Sequence, residues 1–181
     1  MKKIFAMLLA VVMMFSLVAC GGKTTEPTTA PTQAAVKVEG TMEELLNKVV
    51  EINPVEFMGG TMPIDLTDTS EDGLWNIKYN TGLDSAEGLT DAAVFGPMMG
   101  SMAFSMVMVR TAEGTDVKAV AEGMKNGIDP RKWICVEADD VQVVSFGDVV
   151  MLIMVDSTSG LTSQSFVDAF AQVCGGSVTT Y

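Results

Sequence analysis

The sequence contains no histidine among its 181 residues, and it has only two tryptophans and two tyrosines. Histidine is the commonest general base and the commonest metal-binding side chain in proteins. Its absence excludes Ser-His-Asp and Cys-His catalytic arrangements. Carboxylate pairs remain possible acid–base groups.

Basic residues are also scarce. The chain has 11 lysines and arginines against 23 aspartates and glutamates, which gives a formal net charge of −12. Nucleic acids and anionic lipid surfaces would repel such a chain. We therefore expect no nucleic-acid partner, and we attribute most of the acidity to solubility.

Long apolar runs are few, and the one at the start of the chain is short. Lys2 and Lys3 precede an apolar stretch over residues 4–18, and polar, glycine-rich sequence begins after Cys20. A membrane-spanning helix needs about 20 apolar residues, so this stretch is too short to be a comfortable span. A basic start, a short apolar run and then small residues are typical of a secretory signal.

The residues Leu17-Val18-Ala19-Cys20, followed by two glycines, closely resemble the lipobox of bacterial lipoproteins. The resemblance implies cleavage after residue 19 and diacylation of the Cys20 sulfur. Two acyl chains anchor a protein stably, whereas one holds it only marginally. We expect a signal peptide over 1–19 and a mature protein anchored through Cys20 to the extracytoplasmic face of the cell membrane. The alternative is an ordinary secretory leader with a chance cysteine.

After the leader, the composition changes twice. Residues 20–40 are rich in threonine and proline and contain little that a core could bury. Such a segment is expected to be a solvated tether. Residues 41–181 are long enough for one compact domain with a real core. We therefore expect a tether over 20–40 and a single domain over 41–181.

Helix and strand patterns alternate along this domain. The predicted helices are 42–52, 71–80, one capped by Thr115 and ending at Gly127, and 163–174; the predicted strands are 101–110, 141–146 and 149–155. The last two strands flank Gly147-Asp148, a two-residue turn typical of a hairpin. These elements predict an α+β fold, a single two-layer sandwich whose mainly antiparallel sheet has a C-terminal hairpin packed by helices.

The residues from about Leu74 to Asp156 resemble DUF4358, a family of small bacterial lipoproteins of unknown function. The resemblance rests on a hydrophobic strand at 102–110, a helix at 116–125, and a glycine-turned hairpin with an apolar strand at 143–153. It implies an extracytoplasmic lipoprotein of unknown activity, and it supplies no functional residues.

One short motif has the spacing of a metal loop. Asp68, Ser70 and Asp72, followed by Gly73, match the first half of an EF-hand calcium loop. The position that should supply a bidentate glutamate is Tyr79. The alternative is an acidic turn that caps the following helix.

Methionines provide a second candidate metal site. They lie close together in the sequence, at Met98, Met99, Met102, Met106 and Met108. Thioethers are soft ligands that can bind Cu(I). The alternatives are that these methionines pack in the core, or that those near Gly96–Gly100 form an adaptable contact for a partner protein.

The remaining candidates are paired cysteines and paired acids. Cys135 and Cys174 could form a disulfide outside the cytoplasm, although Cys174 also falls on the apolar face of a predicted helix. Glu71-Asp72 and Asp139-Asp140 are carboxylate pairs that could serve general acid–base catalysis or be ordinary solvated side chains.

No recognisable catalytic or cofactor-binding motif follows the leader. We expect no cofactor, and we interpret the chain as a membrane-anchored binding or envelope interaction module whose protein or small-molecule partner is unknown. The alternatives are a calcium- or copper-binding protein and, less favoured, a carbohydrate-active enzyme that uses aspartate and glutamate. Such an enzyme needs two carboxyl groups about 5–10 Å apart in a cleft.

Overall fold

The computed structural model describes residues 36–99 and 102–181. The expected signal peptide and Cys20 lie outside the described residues. None of the described helices is long and apolar enough to cross a membrane. The elements in the described ranges are the helices α1 (Met42–Ile52), α2 (Glu71–Thr81), α3 (Val117–Gly127) and α4 (Ser163–Cys174) and the strands β1 (Gly59–Pro63), β2 (Leu89–Pro97), β3 (Phe104–Thr111), β4 (Asp140–Phe146), β5 (Val149–Val155) and β6 (Thr179–Thr180).

Each predicted helix is present, and local hydrogen bonds explain where it begins. At the start of α1, Thr41 Oγ1 accepts from the Glu44 amide at 3.2 Å and Glu44 Oε2 accepts from the Thr41 amide at 3.0 Å. This reciprocal pair is a capping box. The predicted cap of α3 is wrong by one residue, because Asp116, and not Thr115, accepts from the first-turn amides of Lys118 and Ala119.

The strands form one antiparallel sheet in the order β1-β2-β3-β5-β4-β6. The predicted hairpin is β4 and β5, with Gly147 at φ 57° in its turn. Every residue of β3 and β5 is buried. Strands buried on both faces read as continuous apolar runs, which is the pattern of these two strands in the sequence.

Helices cover both faces of the sheet. Helices α1 and α4 pack on the face that carries Met106, Met108, Met151 and Ile153. Helices α2 and α3 pack on the opposite face, which carries Val107, Val109, Val150 and Leu152. The α+β class and the antiparallel sheet are therefore confirmed, but the prediction of two layers is wrong. Because side chains alternate along β3 and β5, each face needs its own apolar cover.

The folded unit includes residues 36–40, which the sequence predicts to be part of the tether. Val38 is buried, and its amide donates to Asp148 Oδ1 at 2.9 Å. The Val36 carbonyl accepts from the Asp148 amide at 3.1 Å. Residues 36–40 are thus held against the turn between β4 and β5.

Candidate functional site

A cleft of about 360 Å³ opens beside α2 and the loop that follows α3. Its lining residues are Trp75, Lys78, Tyr79, Gly127, Asp129, Arg131 and Lys132. Small-molecule sites in proteins have volumes of about 300–1,000 Å³, so this cleft lies at the lower end of that range. It combines aromatic surface with three cations in a strongly acidic protein.

Two aromatic rings of α2 form one wall of the cleft. Trp75 and Tyr79 are four residues apart, which places them on the same side of the helix. Their rings are stacked, with centroids 4.8 Å apart and planes inclined by 23°. Trp75 is 62% exposed. A large exposed ring held by a neighbouring ring provides a flat apolar surface for a ligand.

Lys132 reaches from the loop across Tyr79 to the sheet. Its Nζ donates to the Tyr79 carbonyl at 3.1 Å and to Ser105 Oγ on β3 at 3.2 Å. The same atom lies 4.7 Å from the centroid of the Tyr79 ring and 5.3 Å from that of Trp133. These contacts fix the ammonium group among uncharged acceptors and aromatic rings.

This position changes the acidity of the amine. Burial lowers the pKa of Lys132 from 10.5 to about 8, and the charge of Asp129 only partly opposes that shift. Among the ion pairs of residues 36–99 and 102–181, none includes Lys132. A desolvated amine with a shifted pKa in a cleft is a recognised indicator of a functional site.

The other two cationic side chains of the cleft, Lys78 and Arg131, form ion pairs that are exposed to solvent. Lys78 pairs with Asp84 at 2.7 Å and Arg131 pairs with Glu137 at 2.9 Å, and both pairs are largely exposed. Exposed pairs contribute only about 0–1 kcal/mol, so a ligand can displace the carboxylate at little cost. Three of the eight lysines and arginines in the described residues therefore line one cleft.

The residues of the predicted calcium loop form the cap of α2. Asp68 Oδ1 accepts from the Ser70 amide at 2.9 Å, and Ser70 Oγ accepts from the Gly73 amide at 3.1 Å. Hydrogen bonds from the side chain and the amide of Ser70 lower the pKa of Asp68. Asp72 lies in the first turn of α2. Gly73 is needed because a Cβ there would lie 2.4 Å from Asp68, so the acidic helix cap is the arrangement that the structure shows.

Both carboxylates of the Asp139-Asp140 pair accept hydrogen bonds from serine residues. Asp139 accepts from the amide and hydroxyl of Ser157, at 2.7 and 2.6 Å, and these bonds lower its pKa. Asp140 accepts from the amide and hydroxyl of Ser163, at 2.7 and 2.5 Å. A general acid needs a raised pKa, so Asp139 is unsuited to that role. The cleft itself is lined by one carboxylate, Asp129, and does not supply the pair that a glycosidase needs.

The two cysteines of the domain are both free thiols. Cys135 is exposed in the loop between α3 and β4, where it has a positive φ of 67°. Cys174 lies in the last turn of α4 and packs against the core, as its position on the apolar face predicts. Burial raises the pKa of its thiol to about 12.

The methionine cluster divides into two groups. Met106 and Met108 are fully buried, and Met102 packs against the same core. These three therefore follow the packing interpretation. Met98 and Met99 are 71% and 72% exposed, so they lie on the surface. They remain candidates for a partner contact or a metal site.

The cleft is not apparent from the sequence because its residues come from two distant segments. Lys78 and Tyr79 belong to α2, whereas Arg131 and Lys132 follow α3. The signal that could have identified the second segment is the sequence Arg131-Lys132-Trp133. It contains adjacent cations beside an aromatic ring in an otherwise acidic domain.

Comparison with known proteins adds no relative: the chain matches no protein-family model, no curated protein and no solved structure. The resemblance to DUF4358 stays a prediction.

Proposed function

We propose that the protein is a lipid-anchored extracytoplasmic binding protein whose cleft takes a small anionic ligand with a flat ring. The Lys132 amine, held over Tyr79 between two uncharged acceptors, is the observation on which the binding role rests. The lipobox-like residues that end at Cys20 support the anchor. They are independent of the cleft.

The charges favour an anion of modest size. Among the described residues, no carboxylate lies within ion-pair distance of Lys132, and those paired with Lys78 and Arg131 are displaceable. A carboxylate or phosphate group would therefore gain three cations at low cost. The chain as a whole carries a net charge of −12, which repels large polyanions. A small ligand bearing one acidic group fits both conditions.

The aromatic wall favours a ligand with a planar or ring-shaped apolar face. The exposed Trp75 ring can stack on such a face while the acidic group of the ligand reaches Lys132 and Arg131. This division of the cleft into an apolar wall and a cationic end is typical of small-molecule sites, where few polar groups fix the orientation.

Intrinsic fluorescence can test the binding role, because both tryptophans of the chain lie near the cleft. The full-length protein in detergent would be titrated with benzoate, glucuronate and inorganic phosphate, and with benzyl alcohol and glucose as uncharged counterparts. We expect saturable quenching by an anion with a ring. We expect Lys132→Met to abolish it, and Lys118→Met, an exposed lysine on α3, to leave it unchanged.

Equal quenching by the charged and uncharged compounds, or none by any anion in the panel, would contradict the anionic ligand. The anchor is tested separately by metabolic labelling with a fatty acid. Label should appear in the wild-type protein and be absent from Cys20→Ser. An unlabelled wild-type protein would refute the anchor without affecting the cleft.

A further inference from the structure

Exposed methionines gather at one place on the surface. Six of the eleven methionines in the described residues are fully buried, and four are more than half exposed. The exposed ones are Met58, Met62, Met98 and Met99, all in or beside β1 and β2. Since methionine is usually found inside proteins, this concentration on one surface calls for an explanation.

Pairing of β1 with β2 brings two of these side chains together. The register sets Gly59 opposite Pro97 as the last pair of the ladder, and Met58 and Met98 are the residues just beyond that pair. The Met98 amide donates to the Met58 carbonyl at 2.9 Å, which confirms that the two residues are neighbours. Directly opposed residues of an antiparallel pair have Cβ atoms about 4.5–5.5 Å apart. Two flexible thioethers can therefore converge on one ion.

The surroundings leave room for that convergence. A Cβ at Gly60 would meet nothing within 4 Å, and one at Gly96 would meet only the Phe104 carbonyl, at 3.8 Å. These glycines oppose each other in the ladder, two residues from Met58 and Met98. Met99 follows Met98 directly and is equally exposed. Met62 lies four residues along β1 from Met58, about 13 Å away for an extended chain.

We propose that Met58 and Met98, with Met99 as a third ligand, bind a soft monovalent cation, Cu(I) or Ag(I), through their thioether sulfurs. Soft sulfur ligands select Cu(I) over hard cations such as Ca²⁺ and Mg²⁺. Thioethers need no deprotonation, so binding is expected to be insensitive to pH near neutrality. The acidity of the chain favours the approach of a cation. This site is separate from the cleft and does not depend on its ligand.

Silver nitrate is a suitable probe, since Ag(I) is stable in air. The full-length chain would carry Cys20→Ser and Cys135→Ser, because a free or exposed thiol would compete for silver. Cys174 can remain, since its half-buried thiol has a pKa of about 12. Methionine methyl groups labelled with ¹³C would be followed by NMR during the titration. We expect the Met58, Met98 and Met99 signals to shift, and the signals of the exposed Met62 and the buried Met106 to stay in place.

Variants make the assignment specific. Met58→Leu combined with Met98→Leu should abolish the shift of the Met99 signal, whereas Met62→Leu should leave all shifts intact. Unchanged signals of buried methionines show that each variant is folded. The proposal is overturned if silver in large molar excess moves neither the Met58 signal nor the Met98 signal. It is also overturned if Met62 shifts as much as Met58, because silver would then bind any exposed thioether.

Discussion

Arg110 and Asp148 form an ion pair that is almost closed to solvent. Arg110 Nη1 lies 2.6 Å from Asp148 Oδ2, and the two side chains are 11% and 14% exposed. Arg110 Nη2 also donates to the Gly40 carbonyl at 2.6 Å, while the other carboxylate oxygen of Asp148 accepts from the Val38 amide. The pair thus joins β3, the β4–β5 turn and residues 36–40, where the folded unit meets the preceding chain.

The Arg110–Asp148 pair lies at one end of the sheet. Arg110 is near the end of β3 that pairs with Val149, whereas Phe104, at the other end of β3, pairs with Val155. Met58 and Met98 follow the end of the ladder that contains Gly59 and Pro97, which is the Phe104 end of the sheet. Residues 36–40 and the exposed methionines therefore lie at opposite ends of the sheet.

Removing one partner of the Arg110–Asp148 pair should be costly. Asp148→Asn leaves the Arg110 charge buried without a counter-ion, and such changes typically destabilise proteins by about 3–5 kcal/mol. Glu137→Gln breaks the exposed pair with Arg131 and should cost no more than about 1 kcal/mol. Urea unfolding of the two variants measures both free energies. Similar small losses in both would show that the Arg110 pair contributes little.

The hairpin turn holds residues 36–40 by close backbone contact. A Cβ at Gly147 would lie 1.8 Å from the Val36 carbonyl oxygen, and Gly147 also has a positive φ of 57°. Gly114 has a positive φ of 84° but open space around it, so Gly114→Ala is a matched control for backbone strain alone. Left-handed strain costs a non-glycine residue about 1–2 kcal/mol. We expect Gly147→Ala to lose clearly more stability than Gly114→Ala.

Limited trypsin digestion gives a second measurement of the same contact. Lys37 lies between Val36 and Val38, the two residues that are bonded to Asp148. Cleavage after Lys37 should be slow in the wild-type protein and in Gly114→Ala, and fast in Gly147→Ala. Equal cleavage rates in all three proteins would mean that the turn does not hold this segment.

Lys132 should make stability depend on pH in the alkaline range. Its pKa is about 8 in the folded protein against an ordinary value of 10.5, so between these values the unfolded chain binds more protons. Stability attributable to this group therefore rises with pH across that window. At about 1.4 kcal/mol for each pH unit, the gain is at most about 3 kcal/mol, and less to the extent that water reaches the amine.

The measurement compares the wild-type protein with Lys132→Met, so that other titrations cancel. The difference in unfolding free energy between them should move in favour of the wild type from about pH 7 to about pH 10. Lys118→Met, which removes an exposed lysine, should show no such trend. A constant difference for Lys132→Met would mean that its amine titrates normally.

The N-cap of α3 is Asp116, whereas the sequence predicted Thr115. Asp116 Oδ1 accepts from the amides of Lys118 and Ala119, at 3.0 and 3.2 Å, whereas the Thr115 hydroxyl donates to the Gly88 carbonyl at 3.3 Å. Loss of an N-cap side chain costs about 1 kcal/mol. Asp116→Ala should therefore destabilise the protein by about that amount, and Thr115→Val by less. The reverse order in urea unfolding would restore Thr115 as the cap.

Local signals made the helices and the hairpin predictable. The capping box of α1, the apolar periodicity of α4 and Gly147-Asp148 between two apolar runs each act within a dozen residues. By contrast, β1 is rich in glycine and ends in proline, so its own residues do not favour a strand. Its conformation comes from pairing with β2, about thirty residues later.

The sequence did not reveal the cleft, and it did not place Met58 in the methionine site, for the same reason. Lys132 meets Tyr79, and Met98 meets Met58, only after the chain has folded. Periodicity within one segment contains no information about such long-range neighbours. The second layer of helices was not predicted either, because the sequence of a strand does not indicate which helix covers each of its faces.

The two cysteines of the domain should react very differently. Cys135 is exposed, whereas Cys174 is half-buried and its pKa is raised to about 12 by burial. Since the thiolate is the reactive form, iodoacetamide near neutral pH should alkylate Cys135 and leave Cys174 unmodified until the protein is unfolded. Peptide mass spectrometry without added reductant measures both sites in the full-length chain. If neither cysteine reacts before reduction and both react afterwards, Cys135 and Cys174 are joined as the disulfide that the sequence allowed, and the free thiols of the structure are wrong.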